Sequence, residues 1–147
     1  MSQSLISITQ SMKTDFMMTD SSSGIIKFSS PWSFSETVKR IEAVLETKKI
    51  KLFARIDQSA EAAAVGLTLR PTTLLIFGDP SKGTPLMESY PTLAVDLPLK
   101  ALIWEVSPSE VYVSLTSPEF LQKRHNLPSA PFSEIVRLFI ALLNTGA

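Results

Sequence analysis

Lys100-Ala101-Leu102-Ile103-Trp104-Glu105-Val106 is followed by Ser107-Pro108-Ser109 and then by Val111-Tyr112-Val113-Ser114-Leu115. Two runs of β-branched and aromatic residues either side of a Ser-Pro-Ser turn read as a β-hairpin. Trp104 and Tyr112 then face each other, or nearly so, across the hairpin and are expected to line the core. Just upstream, Leu93 to Leu97 reads as a further strand, split from the hairpin at Pro98 or continuous with it through a bend. Pro71 precedes Thr72-Thr73-Leu74-Leu75-Ile76-Phe77, a continuous apolar run that suits a strand covered on both faces. Ile50 to Asp57 alternates, with Ile50, Leu52, Ala54 and Ile56 pointing one way and Lys51, Phe53, Arg55 and Asp57 the other. Gly24 to Phe28 adds a short strand. Strands gathered in a block, rather than alternating with long helices, predict an α+β fold with an antiparallel or mixed sheet.

The helices frame that block. Ser33-Phe34-Ser35-Glu36 is a capping box, and Val38, Ile41, Val44 and Leu45 then recur on one face of an amphipathic helix. Ala60 to Ala64 predicts one to two helical turns ended by Gly66. Thr84-Pro85 reads as an N-cap and first position of a short helix running to about Tyr90, with Gly78 to Gly83 as a loop before it. Ser117-Pro118-Glu119 opens another short helix ending near His125. A final helix from about Pro131 carries Phe132, Ile135, Val136, Phe139, Ile140 and Leu143 on one apolar stripe. Residues 1–23, serine-rich, read as a flexible arm ahead of one domain spanning 24–147.

Composition narrows the chemistry. The chain has 147 residues, no cysteine, one histidine and 14 basic against 14 acidic side chains. A chain of this size buries about two-thirds of its unfolded surface, enough for a core without staples. Without cysteine there is no disulfide, thiolate nucleophile or Cys-based metal site, and one histidine excludes a two-histidine site. No cofactor is expected. A net charge of zero argues against wholesale electrostatic binding to nucleic acid or an anionic membrane. No run approaches the roughly 20 apolar residues that cross a bilayer. The N-terminus shows no signal-peptide pattern, and a cytoplasmic protein is expected.

Several motifs together resemble a known family. Phe53-Ala54-Arg55-Ile56-Asp57, Leu69-Arg70-Pro71-Thr72 leading into Leu74 to Gly78, Gly83-Thr84-Pro85-Leu86-Met87, Asp96-Leu97-Pro98-Leu99 with Trp104, and Arg124-His125 occur in the order seen in the bacterial and archaeal domain-of-unknown-function 302 family. The resemblance runs from about Gly24 to Leu127 and leaves the final helix outside it. It implies a TBP-like β-α-β4-α fold, a curved sheet backed by helices and often a dimer, and it implies no activity. Gln58 stands where that family usually has histidine, Asp79 where asparagine is common, and Leu115 where an aromatic is usual. The missing histidine argues against shared metal or acid–base chemistry at that strand end. The fold does not bring DNA binding with it, because a groove-binding saddle needs a basic, aromatic-wedged surface.

The candidate site gathers the charged members of these motifs. Arg55 and Asp57, two apart on a strand, project from one face about 7 Å apart. With Arg70 and Asp96 they form either a grip on a small polar or anionic ligand or a set of ion pairs tying strands together. Thr72, Lys82, Lys100 and His125 are expected nearby. Gly78 to Thr84 follows an apolar strand and precedes a helix, but its lysine, glycine, threonine order and Pro80 do not make a P-loop. It is a turn, or a helix start that holds one anionic group beside Lys82. His125, at a helix C-terminus, is either a dipole-stabilised structural group or a general base. The expected protein is therefore a non-catalytic, homodimeric module for a small polar or anionic ligand. The alternatives are a small enzyme with Asp57 or Asp96 as base and His125 as acid, and an interaction module acting through a sheet edge or the final helix.

Overall fold

The structure, a computed structural model, describes residues 17–20 and 22–144. Six strands form one antiparallel sheet in the order β1-β2-β6-β5-β4-β3. They are β1 (Met17–Asp20), β2 (Ile25–Ser30), β3 (Lys51–Asp57), β4 (Thr72–Gly78), β5 (Leu99–Ser107) and β6 (Glu110–Thr116). Five α-helices accompany them: α1 (Phe34–Thr47), α2 (Gln58–Ala64), α3 (Pro80–Ser89), α4 (Pro118–His125) and α5 (Ser133–Leu143). The sheet is open, with β1 and β3 at its edges, and the α+β class expected above is the one observed. Of the expected N-terminal arm, residues 1–16 and 21 lie outside the described residues, whereas Met17–Asp20 pair with β2 as an edge strand.

The register decides what each face carries. One ladder runs Arg55, Leu75, Ala101, Leu115, Ile26 across five strands, and the next runs Asp57, Thr73, Ile103, Val113, Phe28. Leu75, Ala101, Ile103, Val113 and Phe28 are fully buried there beneath α1 and α5. Helix α1 begins where its capping residue places it: Ser33 Oγ accepts from the Glu36 amide at 3.2 Å. The Glu36 carboxylate turns forward to Arg40 at 2.7 Å, so only one half of the capping box carries a hydrogen bond between these two residues. Val38, Ile41 and Leu45, one turn apart, are at most 1% exposed. Thr37 is buried beside them because its hydroxyl bonds the Ser33 carbonyl at 2.7 Å and the Ser30 hydroxyl at 2.6 Å, joining β2 to α1. A buried hydroxyl is tolerated only with such partners.

Four expectations change. Trp104 and Tyr112 do pair directly across the hairpin, with ring centroids 5.0 Å apart. They lie on the face opposite the helices, half-buried, with Lys27 over Tyr112 at 4.4 Å and the indole N–H donating to Ser114 Oγ at 3.1 Å. They do not line the core, because period-two alternation puts them out of phase with Ile103 and Val113. Leu93 to Leu97 is no strand: Pro91–Val95 winds into a 3₁₀ turn that packs against α3 and α4, with Leu93 fully buried. The third change is in β3, where the pairing slips between Leu52 and Ala54, so Leu52 opposes Phe77 but Ala54 and Ile56 oppose Ile76 and Leu74. The extra residue, Phe53, forms a bulge that puts Leu52 on one face and Ala54 and Ile56 on the other. The fourth concerns α3, which starts at Pro80 with Asp79 as its cap, five residues ahead of the expected Thr84-Pro85 start.

Candidate functional site

The sheet separates the residues that the sequence groups together. Arg55 and Asp57 share the helix-side face, as expected, but each is committed locally. Arg55 Nε lies 3.3 Å from Glu42 Oε2 on α1, an ion pair not aligned as a hydrogen bond. Asp57 caps α2, accepting from the Ala60 amide at 3.0 Å. Thr72 opposes Trp104 and Lys100 opposes Ile76, so both belong to the opposite face of the sheet. The Thr72 hydroxyl bonds the Arg70 carbonyl at 2.8 Å, and Arg70 itself is exposed in the loop before β4. Lys82, on α3, lies 3.6 Å from Glu134 on α5. The eight residues therefore fall into separate local contacts.

One subset does converge. Asp96 Oδ2 lies 2.6 Å from His125 Nε2 and 3.6 Å from Arg124 Nε, and the Thr92 hydroxyl bonds His125 Nδ1 at 3.0 Å. The His125 side chain is only 4% exposed, and both ring nitrogens are occupied. The cluster pins the C-terminus of α4 to the 3₁₀ turn. The cavity beside Asp96 and Lys100 holds only about 40 Å³. Replacing Asp96 with alanine leaves the buried imidazole without its acceptor, and we expect a loss of about 1–3 kcal/mol in urea unfolding. Asp96→Asn, which keeps an acceptor, is expected to lose less.

The large concavity lies elsewhere. A cleft of about 700 Å³ opens between the β3–β4 end of the sheet, α3 and α5. Its walls include Ile50, Phe53, Met87, Leu97, Ile135 and Leu138. The bulge delivers Phe53 to a wall it shares with Gly78 and Pro98. Lys48, Lys82 and Arg137 bring three positive charges to the cleft, against Asp79 and Glu134. Glu134 pairs with Lys82, and Asp79 accepts from the amide and hydroxyl of Ser81 at 3.0 and 2.7 Å. Lys48 and Arg137, both exposed, have no carboxylate partner among the described residues. Of the eight residues chosen from sequence, only Lys82 lines this cleft. The signals that point to it are the apolar Phe53 on an otherwise charged side of its strand, and the segment from Gly78 to Thr84, much of which lines the wall.

The hydrogen bonds from Ser81, and more weakly the charge of Lys82, hold the Asp79 carboxyl below its ordinary value of 3.8. A carboxylate lowered in the folded state stabilises the fold above its unfolded value, and that contribution is lost as pH falls through the lower one. Circular dichroism between neutral pH and acid is therefore expected to show a shallower acid loss in Asp79→Asn than in the parent, confined to the region below about pH 4.

Among the described residues no helix is long and apolar enough to cross a membrane, and no group of three or more His, Asp or Glu side chains is placed to hold a metal ion. Known proteins share parts of this architecture. The chain is 39% identical over 105 residues to a protein of Brucella suis biovar 1 (strain 1330) named fluoride-specific ion channel FluC 1, an alignment covering 71% of this chain and 41% of that protein. The fluoride-specific ion channel FluC 2 of Brucella melitensis biotype 1 matches equally, with 39% of its length covered. The chain thus spans about two-fifths of these relatives. An uncharacterised conserved protein of Bacillus stearothermophilus superposes with a TM-score of 0.70 over 82% of this chain and 96% of its own, at 16% identity. The family model described as domain of unknown function DUF302 matches residues 26–143, which takes in α5 as well as the motifs quoted above. From the first core strand to the end of its final helix, the chain belongs to the DUF302 family.

Proposed function

We propose that this domain is a non-catalytic module that binds a small anionic ligand in the cleft between the β3–β4 end, α3 and α5. The observation that carries it is the pairing of a cleft of about 700 Å³ with two rim cations, Lys48 and Arg137, that lack carboxylate partners among the described residues. Cavities of this size, mostly apolar with a few charged groups, are where small molecules bind. Arginine at the rim offers a planar fork that matches a carboxylate or phosphate. The catalytic alternative is weaker because His125 uses both ring nitrogens within the protein and the adjoining cavity is about 40 Å³. The Brucella relatives, named as ion channels, carry the matching segment as less than half of their length. This supports a module that works beside a larger transport protein, as a fused segment or a separate chain. The homodimer is part of the proposal, supported by the exposed Met18 and Ile25 next to the open sheet edge.

Native mass spectrometry of the full chain, purified gently from cells, tests this reading. A stoichiometric added mass that disappears in the Lys48→Gln/Arg137→Gln variant is the expected result. A clean apo species, unshifted by phosphates, nucleotides, carboxylates or fluoride, would overturn it. The same spectra report the oligomeric state.

A further inference from the structure

The geometry points to an amphipathic monocarboxylate, a short acyl or aryl acid, as the class of ligand the cleft takes, with its apolar body between Phe53, Met87 and Leu138 and its carboxylate at Lys48 and Arg137. This rests on the ligand-binding reading above and narrows it. The distinction from a phosphate, a nucleotide or a halide comes from what the walls lack. Side chains reaching into the cleft from β3, α3, the Leu97–Leu99 segment and α5 are chiefly aliphatic or aromatic, and its charged groups are Lys48, Asp79, Lys82, Glu134 and Arg137. A sugar or a base buried there would leave hydroxyls and ring nitrogens without partners, which costs more than the burial returns. A monatomic or tetrahedral anion would leave most of the volume unfilled. An apolar body fills it with a favourable transfer from water, and one carboxylate is matched to the rim. The rim carries three cations against two carboxylates, of which Glu134 is held by Lys82 and Asp79 by Ser81. The net complement is one negative charge on the ligand.

Calorimetric titration of the full chain with hexanoate, octanoate and decanoate, each below its micelle concentration, tests the inference, with decanol and inorganic phosphate as controls. Affinity is expected to rise about fourfold for each methylene added, equivalent to about 0.8 kcal/mol, until the cleft is full. Lys48→Gln/Arg137→Gln is expected to weaken decanoate about tenfold, the scale of one charge-assisted hydrogen bond, and to leave decanol unchanged. Met87→Trp, which intrudes on the apolar wall without adding charge, is expected to weaken both, with circular dichroism reporting the fold. Phosphate binding with no dependence on acyl length would overturn the inference while leaving the anionic-ligand reading intact. Binding of neither would overturn both. Decanoate binding that ignores the rim substitutions and equals that of decanol would mark a non-specific apolar groove and overturn the carboxylate assignment.

Discussion

Phe139→Ala is expected to cost about 3–5 kcal/mol in urea unfolding, the range for deleting a buried phenyl ring. Phe139 projects from α5 and is fully buried. Its ring centroid lies 6.2 Å from that of Phe77 on β4 and 6.4 Å from that of Phe28 on β2. Those strands stand on either side of β5 and β6, so this one side chain spans the middle of the sheet. A domain of this kind has about 5–15 kcal/mol in total, so the substitution removes a large share of it. Phe139→Leu leaves a smaller void and is expected to cost much less. A loss under about 1 kcal/mol for the alanine variant would show that α5 is an appendage that the core does not need.

Gly24→Ala is expected to be almost as damaging, by a different mechanism. Gly24 precedes β2 with φ at 72°, in the left-handed region where a Cβ costs about 1–2 kcal/mol. The added carbon would also stand 2.8 Å from Phe120 Cβ and closer still to the root of its ring. Those are the atoms nearest the α4 backbone, so rotating the ring does not clear them. The Gly24 carbonyl also accepts from the Ser117 amide at 2.7 Å, tying the start of β2 to the cap of α4. Overpacking of this kind adds about 1–3 kcal/mol to the backbone strain. Adding Phe120→Ala to Gly24→Ala removes the ring overlap and leaves the Cβ contact at 2.8 Å and the strain, so the double-mutant cycle is expected to show partial rescue. Additive losses would mean that the two residues do not meet.

Local chemistry made much of this fold legible. The α1 cap at Ser33 and its buried Val38, Ile41 and Leu45 lie where capping and helical spacing put them, because both act within one or two turns. The β5–β6 hairpin follows from its turn, and the apolar stripe of α5 from its period. The misread elements depend on partners distant in sequence. Leu93 reads as a strand residue from its neighbours, but it sits on a 3₁₀ turn packed against α3 and α4.

The candidate site was legible only in part, for the same reason. Sequence selected the charged residues Arg55, Asp57, Arg70 and Asp96, and correctly put Arg55 and Asp57 on one face. Whether they converge depends on register, which sends Thr72 and Lys100 to the opposite face and gives Arg55 a partner on α1. The cleft needs a bulge at Phe53 and a helix some 80 residues away in sequence. By itself the sequence determined the α+β class, the capped starts of α1 and α4, the buried faces of α1 and α5, and the absence of thiol chemistry. All of these rest on residue type and on periods of two or 3.6. Only the tertiary structure decided which face Trp104 and Tyr112 occupy, that His125 is closed in by Asp96 and Thr92, and where the cleft opens. Each of those is a relation between segments, set by strand register and by which side chains fill the space between them.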